Sequence, residues 1–146
     1  MIDEKSLGWI GAPTIVMFLN ELDVFAHKDD VYTFTRRFDR DNDSRLLYSD
    51  FCEAFTPKDS YYAHALTNRQ ARYLHHKDIP KKNYFCEQTR DLFLQTFKVH
   101  FHVDQKIQLV KRRCARLPSF NIHDAFSCVD TNNQGELTRD DFKRLM

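Results

Sequence analysis

Apolar residues recur along the chain at the three- and four-residue intervals of helix faces. Val31, Phe34 and Phe38 stand at i, i+3, i+7, Phe51 and Phe55 at i, i+4, and Ile15, Phe18, Leu19 and Leu22 at i, i+3, i+4, i+7. Farther on, Leu92, Phe93 and Phe97 form one such run, and Ile107, Val110, Cys114 and Leu117 another. Stripes of this period belong to amphipathic helices that bury one face. Between the two later runs, Thr96–Asp104 alternates apolar and polar residues, which predicts a short connector rather than more helix. With only 3 Gly and 4 Pro there is little material for a turn-dense β sandwich, so the expected class is all-α.

The polar stretches between the stripes carry the candidate chemistry. After Phe38 the chain reads Asp39-Arg40-Asp41-Asn42-Asp43-Ser44-Arg45-Leu46-Leu47-Tyr48-Ser49-Asp50. Carboxylates at positions one, three and five of a tight loop can converge on one point. A fourth at position twelve can close the shell from the following helix, and Arg45 at position seven can offer its backbone carbonyl. Ca²⁺ requires six to eight such hard oxygens at about 2.3–2.6 Å. A second stretch repeats the pattern in Asp130-Thr131-Asn132-Asn133-Gln134-Gly135-Glu136-Leu137-Thr138-Arg139-Asp140-Asp141. Its candidate donors are Asp130, Asn132, Gln134, Glu136 and Asp141; only Asp130 and Asp141 are firm carboxylates, with Asn132, the long Gln134 and Thr138 as neutral donors. A third copy opens the chain, with Asp3 at position one, Gly8 at six and Ile10 at eight. Its Lys5, Leu7 and Thr14 at three, five and twelve leave it unable to chelate.

These loops and their helical flanks resemble the EF-hand superfamily, the calmodulin and troponin C kind of protein. The resemblance implies paired helix–loop–helix units with short β bridges between paired loops, centred on the apolar residue at position eight. Ile10 and Leu46 lie 36 residues apart, about the spacing of two paired hands. Counting the same distance back from Leu137 reaches Phe101, so the connector at 96–104 is expected to be a degenerate third hand. The implied plan is two lobes: residues 1–57, a basic Tyr/His-rich linker 58–83, and residues 84–146. The first incoming helix and the last outgoing helix would be short, so the chain is expected to be a fragment or to have its ends completed by a partner. Measured against the superfamily pattern, Ser44 replaces the glycine at position six and Asp50 the glutamate at twelve. Both departures lower the expected affinity for Ca²⁺ and its advantage over Mg²⁺. At most two loops are expected to bind metal, with 39–50 the principal one.

Charge divides the chain. Residues 56–116 hold thirteen Lys/Arg against five acids, a segment charge of +8, while the whole chain carries +1 and the remainder therefore −7. The near-neutral total gives no case for a nucleic-acid binder. No stretch approaches the roughly 18 apolar residues of a membrane span, and the start has no signal-peptide order. Cys52, Cys86, Cys114 and Cys128 form no CxxC and read as free thiols, consistent with the cytoplasm. His100 and His102 lack further ligands at zinc spacing and read as solvated or partly packed. No nucleophile motif and no phosphate cradle is present, so a non-enzymatic protein is expected.

Lys106, Lys111, Arg112, Arg113 and Arg116 decorate a basic amphipathic helix. It reads either as an ordinary helix with a solvated basic side or as a face for an acidic partner surface. Two functional expectations follow. One is a structural or adaptor subunit of a larger assembly, holding one Ca²⁺ or Mg²⁺. The other is a Ca²⁺-responsive regulator whose opened groove takes a target's amphipathic helix. Residues 37–57 are also similar to EF-hand modules of ciliary and flagellar axonemal proteins. That similarity implies a cytoskeletal setting in which basic residues could face tubulin's acidic tails.

Overall fold

The computed structural model describes residues 2–3, 6–70, 80 and 83–145. The chain is mostly helical. In order it forms β1 (Trp9–Gly11), α1 (Ala12–Glu21), α2 (Lys28–Phe38), β2 (Arg45–Leu47), α3 (Tyr48–Phe55), α4 (Ser60–Thr67), α5 (Glu87–Ala115), α6 (Ile122–Val129) and α7 (Arg139–Leu145). Local chemistry sets several of the boundaries. Pro13 occupies the first turn of α1, where its missing N–H costs nothing. Asp23 at φ 58° follows the end of α1, and the Val24 N–H bonds the Leu19 carbonyl at 2.9 Å. Side chains of His27, Asp59 and Asn121 cap α2, α4 and α6.

Two compact units divide the chain, residues 1–105 and 106–146. In the first, β1 and β2 pair antiparallel with Ile10 opposite Leu46, the two position-eight residues. The core beneath them gathers Ile15, Phe18 and Leu19 of α1, Val31 and Phe34 of α2, and Leu46 of β2. The stripes at 15–22 and 31–38 therefore bury the faces their period implied, with Leu22, Phe38, Phe51 and Phe55 packed partly buried against them, whereas Leu92, Ile107, Val110 and Leu117 are exposed and that expected face is not buried.

Residues 96–104 depart from the sequence reading. They are neither a connector nor a shrunken loop but the middle of α5. Leu94, Phe97 and Phe101 are buried there in the core of the first unit, at i, i+3, i+7. The alternation of Val99, Phe101 and Val103 imitates a strand, but no Gly, Pro or Asn interrupts 94–105. Helix formation then satisfies every backbone group while seating three large side chains. A stack of rings fixes the seat: Phe97 lies 5.5 Å from Phe34 and 4.9 Å from Phe55 between centroids, and Phe101 lies 5.8 Å from Phe34. His100, half-buried, packs edgewise on Phe34 and Phe38, and its Nε2 meets the Ala54 carbonyl at 3.0 Å. Arg37 donates to the buried Asp104 at 2.9 Å, and Gln105 to Asp30 at 2.7 Å.

The expected linker 58–83 contains α4, capped by Asp59, and the first unit continues through it to Gln105. Residues 71–79, 81 and 82 of that stretch lie outside the described residues, as does Lys5 of the first loop. The four cysteines form no disulfide with one another. Among the described residues, no helix is long and apolar enough to cross a membrane.

Candidate metal centre

Three loops that differ in their ligand side chains share several backbone features among the described residues. In each, the position-one aspartate accepts hydrogen bonds from the N–H groups of positions five and six. Asp3 takes them from Leu7 at 2.9 Å and Gly8 at 2.8 Å. Asp39 takes them from Asp43 at 3.3 Å and Ser44 at 2.8 Å, and Asp130 from Gln134 at 3.0 Å and Gly135 at 2.8 Å. Positions four and six are left-handed in all three loops: Ser6 and Gly8 at φ 51° and 79°, Asn42 and Ser44 at 58° and 65°, Asn133 and Gly135 at 52° and 77°. A helix begins at position ten of each, with α1, α3 and α7. Position twelve closes two of the loops, where Asp50 accepts the Leu47 N–H at 2.9 Å and Asp141 the Thr138 N–H at 2.8 Å. The frame therefore survives where the acidic ligands do not.

Loop 39–50 fills that frame with carboxylates. Asp39, Asp41 and Asp43 each bring an oxygen within 4.8 Å of the others, and they are the one such acidic group among the described residues. Burial pushes the Asp39 carboxyl up, but the N–H of Ser44, the Asp41 side chain and the N–H groups of Asp43 and Asn42 outweigh it and hold Asp39 below its ordinary range. Asp41 lies above its ordinary range, because its shared hydrogen bond with Asp39, burial and the charge of Asp43 all disfavour its ionised form. A divalent cation would relieve that crowding. The donor set is all oxygen and hard, the chemistry Ca²⁺ and Mg²⁺ take.

Asp50 is buried with its Oδ2 on the Leu47 N–H, and its Oδ1 lies 4.0 Å from Arg40 Nε. It is not part of the three-carboxylate cluster. Arg45 pairs loosely with Asp43 at 3.8 Å and lays its guanidinium over the Trp9 ring at 4.3 Å, which ties the loop to its strand partner.

Loop 130–141 buries Asp130 and Asp141, while Asn132, Gln134 and Glu136 stay exposed. The Thr138 hydroxyl and N–H hold Asp141 below its ordinary range. The cations Lys106, Lys111, Arg112, Arg113 and Arg116 are all exposed, the first four within α5.

Reading the sequence for ligands alone overlooks a strut found in two loops. Arg40 at position two pairs with Glu53 at position fifteen, and Thr131 at position two accepts from Arg144 at position fifteen at 2.9 Å. Each pair ties the start of a loop to the helix that leaves it. Superposing the two loop sequences would have exposed the matched spacing. No protein-family model, curated protein or solved structure matches this chain.

Proposed function

We propose that this chain is a non-enzymatic EF-hand protein, a structural or adaptor subunit of a larger assembly, with loop 39–50 as its Ca²⁺ or Mg²⁺ site. The observation carrying this reading is the common frame of three loops, of which only 39–50 gathers three carboxylates. Asp39, Asp41 and Asp43 would hold the ion through their side chains and Arg45 through its carbonyl, with Asp50 drawn from its cap on Leu47. Bound metal supplies positive charge where Asp41 and its neighbours repel, and stabilises the folded unit by mass action. Loop 130–141, with two buried carboxylates, is at most a weaker second site.

The alternative, a regulator that offers a groove to a target helix, is less well supported. Leu94, Phe97 and Phe101 of the chain's own α5 already fill the core of the first unit. The structural reading needs no such opening. The exposed cations of α5 would face an acidic partner surface, of which tubulin tails in a cilium or axoneme are one case.

Calorimetric titration with Ca²⁺ in about 1 mM Mg²⁺ tests the site. Wild type is expected to bind one ion with an affinity on the order of micromolar, and Asp39→Ala to abolish the heat. Absence of heat in wild type would remove metal binding from the proposal.

A further inference from the structure

Of the four carboxylates in loop 39–50, Asp50 is the one that must turn for a cation shell to close. It is buried, lies outside the cluster of Asp39, Asp41 and Asp43, and accepts the Leu47 N–H on Oδ2 at 2.9 Å. Its other oxygen faces a cation of the chain's own. Arg40 Nε lies 4.0 Å from Asp50 Oδ1, and the same guanidinium donates to Glu53. Asp50 and Glu53 stand three residues apart on α3, so one turn of helix presents both carboxylates to a single planar fork. A guanidinium stays charged and carries five donors, enough to serve two carboxylates at once.

Loop 130–141 reaches a similar arrangement with its parts exchanged. There the guanidinium belongs to Arg144 at position fifteen, and position two is the neutral Thr131 that accepts from it at 2.9 Å. The charge of Arg144 also acts on Asp141, the aspartate at position twelve. In both loops, then, the strut brings a guanidinium within electrostatic reach of the closing carboxylate.

We infer that Arg40 is the resident counter-ion of Asp50 and opposes the closing of loop 39–50 on a divalent cation. The inference rests on the metal-site reading of that loop and names what regulates it. Two effects act in the same direction. To reach the ion, Asp50 must leave both its N–H partner and its counter-ion. Arg40, anchored by Glu53, then remains as a like charge close to the incoming metal. The Arg40 side chain is 69% exposed, so solvent screening keeps the effect modest. Arg40 is thus a positioning residue, acting on a ligand of the ion and not on the ion's own shell.

Calorimetric Ca²⁺ titration of wild type, Arg40→Gln, Arg40→Lys and Arg36→Gln, under one set of conditions, tests the inference. Arg40→Gln is expected to bind about three- to fivefold more tightly than wild type. Arg40→Lys keeps the charge and should stay within about twofold of wild type. Arg36→Gln removes an equal charge from the last turn of α2 and should also stay within about twofold. If the Arg40–Glu53 pair served only as a structural brace, Arg40→Gln would bind no better or more weakly. That result, a gain that Arg40→Lys shares, or a gain that Arg36→Gln matches would overturn the inference while leaving the metal site in place. No heat from either wild type or Arg40→Gln would remove the metal site, and the inference with it.

Discussion

Ser44 holds a left-handed backbone at φ 65° where the equivalent positions of the other two loops are glycines. The conformation is fixed by the Ser44 N–H bond to Asp39 Oδ2 at 2.8 Å, so the residue cannot relax without releasing the buried aspartate. A side chain in that region costs on the order of 1 kcal/mol, partly offset in a glycine variant by its freer unfolded state. Ser44→Gly is therefore expected to raise stability by about 0.5 kcal/mol, read as a higher urea midpoint at unchanged slope. A lowered midpoint would mean that the serine makes a favourable contact outweighing its strain. At this scale the sequence was most legible. Aspartates two residues apart can be counted along the chain, and three of them do converge. Asp50 could not be read so simply. Spacing places it at the close of the loop, but the Leu47 N–H competes for its carboxylate, and only the folded geometry reveals that competition.

Among the elements, α5 joins residues that the sequence seemed to assign to different structures. Its first half carries Leu94, Phe97 and Phe101 into the core of residues 1–105, and its later half carries exposed Leu109 and Val110. Phe97 is fully buried within ring-contact distance of Phe34, Phe55, Phe93 and Phe101. Phe97→Ala should cost about 3–5 kcal/mol, measured by urea unfolding, while Leu109→Ala on the same helix should change stability by less than about 0.5 kcal/mol. Comparable losses for the two would show that α5 is not seated as described. The helical stripes at 15–22, 31–38 and 51–55 were readable because their period matched one answer only. Residues 96–104 fit two periods, and the choice between them was made by long-range burial against Phe34 and Phe55, which no local pattern encodes. The 36-residue spacing that correctly paired Ile10 with Leu46 misled at Phe101 for the same reason. It locates where a loop could lie, but it cannot say whether another unit already uses that stretch.

For the whole molecule, the sequence suggested two lobes around a linker at 58–83, whereas the chain divides into compact units between Gln105 and Lys106. The uneven charge remains a fact of the chain, and its cations on α5 are exposed. The central claim joins two features of the first unit: loop 39–50 takes a cation, and the apolar seat beneath it stays filled by α5. Hydrogen exchange read by mass spectrometry with and without Ca²⁺ addresses both at once. The account predicts slower exchange across 39–50 on adding Ca²⁺, with 94–101 equally or better protected. No change at 39–50, or a loss of protection across 94–101 as α5 leaves its seat, would contradict it.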